Sequence, residues 1–106
     1  MSGRASRDKG IRWERAVAHF LGTTTTRSTR PGVADDAADV VLDGWLVECK
    51  DHARWSIPAW WHDLDNKVID DERPVLVLKR RNWPVGDALV VLRLKDWNDL
   101  RRRSWE

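Results

Sequence analysis

A single cysteine, Cys49, excludes an internal disulfide in this 106-residue chain and fits a reducing cytoplasm. No stretch is long and apolar enough to cross a membrane, and the basic N-terminus lacks the apolar core of a signal peptide. Neither a glycine-rich phosphate loop nor a nucleophile–base pair is present, which argues against a small-molecule enzyme. His19, His52 and His62 show no metal spacing; His52 follows Lys50 closely but reads as a surface histidine. Repeats and internal linkers are missing too. The net charge is only +2, so bulk charge says little about nucleic acid and local clusters must carry that argument. What the chain does have is an ordinary globular composition, 42% hydrophobic and 34% charged. At this length it reads as one domain that buries about two-thirds of its unfolded surface. Only residues 1–5 and the tail 101–106 read as flexible.

Periodicity gives the element order. Residues 6–21 form an amphipathic helix stopped at Gly22. The β-branched run 23–30 reads as a strand and 31–37 as a loop. Asp43-Gly44 between two apolar runs marks a tight hairpin over 39–50. A helix over 57–69 follows, with Pro58 tolerated in its first turn. Strands at 74–79 and 88–92 and a closing helix at 95–102 complete the chain. The order αβββαββ(α) predicts an α/β fold with a central mixed sheet flanked by helices.

The hairpin carries the chemistry. Folding about Asp43-Gly44 pairs Leu42 with Trp45, Val41 with Leu46, Val40 with Val47 and Asp39 with Glu48. Side chains alternate, so Asp39, Val41, Leu46, Glu48 and Lys50 share one face, while Val40, Leu42, Trp45, Val47 and Cys49 share the other. Two opposed carboxylates repel each other, and a divalent cation converts that repulsion into a ligand pair. Carboxylate oxygens suit a hard ion, Mg²⁺ with Mn²⁺ as substitute, and the Cys49 backbone carbonyl between Glu48 and Lys50 is a further candidate ligand. The Cys49 thiol, on the opposite face, reads as buried and inert.

Glu14 is the second anomaly. On the first helix it falls inside an apolar arc formed by Ile11, Trp13, Val17, Ala18, Phe20 and Leu21, while Arg12, Arg15 and His19 face water. A buried carboxylate is costly unless it finds a partner. Either an arginine pairs with it, or it points toward Asp39 and Glu48 as a third acidic group.

Taken together, Lys9-Gly10-Ile11-Arg12-Trp13-Glu14-Arg15, Arg27 or Arg30, Ala38-Asp39 and Glu48-Cys49-Lys50 resemble the PD-(D/E)XK nuclease superfamily, with the archaeal-type Holliday-junction resolvases looking nearest. The resemblance covers the first half of the chain by motif and the second by element order. It implies a restriction-endonuclease-like core, with Glu14, Asp39, Glu48 and Lys50 as the catalytic set. Asp39, Glu48, Cys49 and Glu14 then surround Mg²⁺, and Lys50 stabilises charge on the phosphorus. The superfamily's proline is Ala38 here, and the second helix carries Pro58-Ala59-Trp60-Trp61-His62 where a polar residue is common. The implied activity is hydrolysis of DNA phosphodiesters, foremost at four-way junctions. Cutting of flaps, ends or nicked duplex, or DNA binding without catalysis, are the competing readings.

Phosphate contacts are expected from Lys9, Arg12 and Arg15, from Arg27 and Arg30, and from Arg80 and Arg81. Eight tryptophans in so short a chain also need an account. Trp13 and Trp45 fit core positions. Trp60 and Trp61, adjacent on one helix, read as unable to face one core together, which suggests an interface. Because the resembled resolvases act as homodimers on a twofold junction, a dimer using this helix is expected. The small size would suit a virus-encoded protein acting in a host cytoplasm.

Overall fold

The computed structural model describes residues 3–29 and 38–104, with the backbone alone for 28 and 29. Arg30 and the expected loop 31–37 lie outside the described residues. Helix α1 spans Gly3–Phe20, α2 is one turn at Thr26–Thr29, and β1 spans Trp45–Lys50. Helix α3 (Ile57–Asp65), β2 (Arg73–Leu78), a 3₁₀ turn (Val85–Asp87), β3 (Leu89–Leu92) and α4 (Leu94–Ser104) follow. The sheet is mixed, in the order β1-β2-β3. The first pair is parallel, with Glu48 opposite Leu76, and the second antiparallel, with Val77 opposite Val90. The chain is thus α/β, as the pattern of elements predicts, with three strands where five were expected. The segments expected to be flexible are partly helical: Gly3 to Ala5 begin α1, and Arg101 to Ser104 end α4.

The two missing strands survive as single bridges. Thr25 pairs with Val40, and Val40 with Val47. Val41 N–H donates to the Thr24 carbonyl at 3.0 Å, and Thr26 N–H to the Asp39 carbonyl at 3.1 Å. Turn chemistry explains the truncation of the hairpin's first arm. Trp45 N–H closes the turn onto the Leu42 carbonyl at 3.0 Å, but only Gly44 has a positive φ, +84°. Such a turn does not match strand twist as the doubly left-handed Asn-Gly or Asp-Gly turn does, so the arms splay after one pair. The register nevertheless follows the Asp-Gly reading, since Val40 meets Val47. In the threonine run, β-propensity yields to a long-range side-chain bond and to a helical turn. The Thr23 hydroxyl donates to the Val41 carbonyl at 2.7 Å, and residues 26–29 coil into α2.

Helix α1 ends where Gly22 predicts. Gly22 (φ +74°) donates its N–H to His19 at 3.1 Å and Thr23 donates to Ala18 at 2.9 Å, the paired bonds of a Schellman cap. Helix α3 stops four residues before the expected 69, when the chain turns at Asn66 and Lys67.

The sheet buries both faces. Trp13, Val17 and Ala18 of α1 pack on Val47, Val75 and Val77, with Trp45, Cys49 and Leu92 at the margin. Leu64 of α3 packs on Leu46, Leu76 and Leu78, with Ile57, Trp60 and Trp61 around it. The strand parity inferred from the turn holds: Trp45, Val47 and Cys49 face α1, whereas Leu46 faces α3. Trp60 and Trp61 are both half-buried against the same cluster. That overturns the expectation that they could not share a core; ring size lets adjacent indoles reach around one helix edge. Phe20 and Leu21 close the predicted apolar arc of α1 yet are exposed, lining an apolar cleft that they share with Val77, Leu92 and Leu100. Helix α4 is held largely by charge: Arg73 at the start of β2 pairs with Asp96 at 3.6 Å and Asp99 at 2.6 Å. No helix among the described residues is long and apolar enough to cross a membrane.

Candidate active site on the outer edge of the first strand

Strand β1 has one neighbour, β2, so every second peptide group points outward. Val47 and Cys49 are outward, as their partners show. The Val47 carbonyl accepts the Asp39 N–H at 2.8 Å, and the Cys49 N–H donates to Asp39 Oδ2 at 2.8 Å. Asp39 therefore grips the strand twice, once by main chain and once by side chain, where the splayed hairpin arm leaves it. In a strand the carbonyl of a residue projects to the same edge as its N–H, so the Cys49 carbonyl also faces outward beside Asp39.

The carboxyl of Asp39 is pushed up to about 7, by burial first and then by the charge of Glu48. The Cys49 N–H pulls it down, Glu14 raises it further, and Lys50 lowers it. Glu14, Glu48 and Lys50, the three residues expected to join Asp39 in the site, thus all act on its carboxyl. The Cys49 thiol is pushed far above its usual range by burial and by the same three carboxylates, as suits an inert core sulfur.

Each neighbour has its own counter-charge. Glu14, 8% exposed, accepts from Arg27 at 3.3 and 3.4 Å, so the arginine pairing expected as one outcome is the one adopted. Glu48 lies 3.6 Å from both the Lys50 and the Lys67 ammonium groups. Lys50 also sits 5.6 Å from the centre of the Trp60 ring, whose other neighbour is His52 at 4.9 Å between ring centres. Glu48, Lys50, Trp60, Asp63, Asn66 and Lys67 line a cleft of about 270 Å³ between β1 and α3. With Glu14 and Glu48 turned to cations, no three His, Cys, Asp or Glu side chains among the described residues close on one point as a ready metal cage.

Lys67 does not stand out in the sequence, because an unbroken helix over 57–69 hides the turn that follows Asp65. The spacing Trp60, Leu64, Lys67 does repeat along one helical face, and that signal would have found it. Asp51 does not stand out either. Immediately after β1, it lies 3.9 Å from Lys9 and 3.6 Å from Lys79 and so ties α1 to the end of β2. Of the expected phosphate-binding groups, Lys9 is engaged with Asp51 and Arg27 with Glu14. Arg12 and Arg15 are exposed on α1. Arg80 and Arg81 lie together beyond β2, and Arg30 is outside the described residues. Comparison with family models, with curated proteins and with solved structures finds no match to this chain.

Proposed function

We propose that the chain is a Mg²⁺-dependent endonuclease with a restriction-endonuclease-like core, acting on branched DNA and foremost on four-way junctions. The observation that carries this reading is Asp39 held by the outward Cys49 N–H at 2.8 Å on the edge of β1, close enough to Glu48 and Lys50 for their charges to act on its carboxyl. The donor set is all oxygen, and the Asp39 carboxyl, raised first by burial and then by the charge of Glu48, has no cation paired with it directly among the described residues; both fit a hard divalent cation. Asp39, Glu48 and the Cys49 carbonyl would hold the ion, with Glu14 behind Asp39 restrained by Arg27. When bound, Mg²⁺ would supply Lewis-acid stabilisation of phosphate charge.

The chain's own groups do the rest. Lys50, held by Glu48 and the face of Trp60, presents a cation to a non-bridging phosphate oxygen, where negative charge grows in the transition state. Asp39 is kept in place by the Cys49 N–H, so its orientation does not depend on the ion. Lys67 neutralises Glu48 when no divalent ion is present. A homodimer belongs to this reading, but α3 spends Trp60 and Trp61 on its own core. The apolar surface left for a second copy lies on β3 and α4 instead.

The deciding experiment compares cleavage of a labelled four-way junction with its linear duplex, in Mg²⁺ and in EDTA, for the wild type and Lys50→Ala. Paired symmetric nicks on the junction alone, lost in EDTA and in the variant, are expected. Equal cutting of both substrates would discard junction selectivity, and tight binding without cutting would remove the enzyme reading.

A further inference from the structure

Strands β1 and β2 run parallel and end together, where Lys79 N–H donates to the Lys50 carbonyl at 3.0 Å. In open α/β sheets the crevice beyond the carboxyl ends of parallel strands is where ligands settle. Here that crevice is a cleft of about 330 Å³ lined by Asp51, His52, Trp55, Lys79, Arg80, Arg81 and Trp83, with Ala53. Three permanent cations face one carboxylate, and Asp51 is already held by Lys9 and Lys79. The cleft therefore favours an anion.

The two indoles make it more than a basic patch. Trp83 is 53% exposed although nothing in the core requires it outside, and Trp55 is 39% exposed. Trp83 is also fixed. Its N–H closes a turn onto the Arg80 carbonyl at 3.1 Å, with Asn82 at φ +67°, and the Arg80 guanidinium stacks 3.9 Å from the ring centre. Arg80 is restrained in turn by the Asp87 carbonyl at 3.5 Å. An aromatic ring already backed by a guanidinium, open on a cationic cleft, is a stacking platform for a base joined to a phosphate. Bases inside a duplex keep both faces covered by neighbours, so an unpaired nucleotide is the one free to enter the cleft and stack there.

We propose that this cleft binds one unpaired nucleotide of the DNA substrate, its base stacked on Trp83 and its phosphate on Lys79 and Arg81. The proposal rests on the nuclease reading for its substrate, and it makes that substrate DNA with an unstacked base next to the scissile phosphate. Lys50 and the cleft residues Asp51 and His52 are consecutive, so the nucleotide held here lies beside the one cut at β1.

The test measures binding without metal, which separates it from cleavage. Anisotropy of labelled (dT)₈, of the same octamer carrying abasic sites, and of a short blunt duplex is followed in EDTA at fixed salt. Stacking on Trp83 predicts that Trp83→Ala weakens (dT)₈ about tenfold, or 1.4 kcal/mol, and the duplex less than about twofold. Trp83→Phe should retain most of the affinity, and the abasic octamer should bind the wild type about as weakly as (dT)₈ binds Trp83→Ala. Equal binding of (dT)₈ and the abasic octamer would reduce the cleft to a phosphate patch and overturn the proposal. So would equal loss of duplex and octamer in Trp83→Ala, or no octamer binding by the wild type. None of those results would touch the junction-cleavage assay, which decides the nuclease reading by itself.

Discussion

The two edges of the sheet are treated in opposite ways. Along β1, outward peptide groups are taken up by Asp39, and charged side chains crowd the surface: Glu48, Lys50 and Lys67 there, with Glu14 and Arg27 close by. Along β3 only four residues form the strand, Leu89 and Val90 are exposed, and no strand lies beyond it among the described residues. The adjoining α4 adds Leu94, Trp97 and Leu100 at helical spacing, with Leu94 77% exposed. One edge keeps buried charge at a cost in stability; the other leaves apolar surface wet. Neither is what folding alone would select, since an edge is normally blunted and a carboxylate normally solvated. The contrast separates a place where charge is concentrated from a place where apolar surface is left open to a second copy.

The largest effect should come from the charged edge. Glu48→Ala should reduce Mg²⁺-dependent cleavage at least about a thousandfold, as expected when a charge-stabilising group is lost. Wild-type turnover by the purified variant would sink the assignment and leave the two edges merely different.

A smaller effect concerns pH. Folded Asp39 holds its proton up to about pH 7, whereas in the unfolded chain it ionises near ~4. Between those values the native state binds more protons, so in EDTA its stability should fall as pH rises through this window, by on the order of 2 kcal/mol. Asp39→Asn should flatten that slope. Thermal melts at pH 5 and pH 8 read it directly; identical slopes for the two proteins would show that Asp39 is not held protonated.

Arg27→Ala should cost about 2 kcal/mol, because it strands Glu14 in the apolar arc. Adding Glu14→Gln should recover much of that loss in urea melts. A strictly additive double variant would mean that the pair is not coupled.

The smallest stability effect belongs to the far edge. Trp97→Arg should change unfolding free energy by no more than about 0.5 kcal/mol, being exposed, yet convert a dimer to a monomer in light scattering. Trp61→Arg should instead destabilise the fold, since that indole packs on Leu64's cluster. A protein monomeric from the start would remove the second copy from the comparison.

Much of the charged edge was legible in the sequence. The Asp43-Gly44 pair gave the register that sets Val40 against Val47, and strand alternation then placed Cys49 toward α1 with Glu48 and Lys50 on the other parity. Glu14 stood out because a carboxylate broke an apolar period. Extents were less legible, because they depend on backbone angles that composition does not report. With Asp43 outside the left-handed region the arms splay, and a run rich in threonine became one bridge and one helical turn. The second cleft could not be read from pattern at all. Trp55 and Trp83 are far apart in sequence and meet only because β1 and β2 end side by side.

The short turn at Asp43 and Gly44 also works as a length standard. Because Asp39 touches β1 at Val47 and again at Cys49, the distance from acid to strand is counted in residues through that turn. One residue added there would carry Asp39 a single step along the chain, exchanging its inward and outward faces and withdrawing its carboxylate from Cys49. Insertions between Asp39 and Trp45 are therefore intolerable in a way that similar insertions near Asp70 are not. A library of single-residue insertions would record the spacing from Asp39 to β1 as a gap in an otherwise permissive surface.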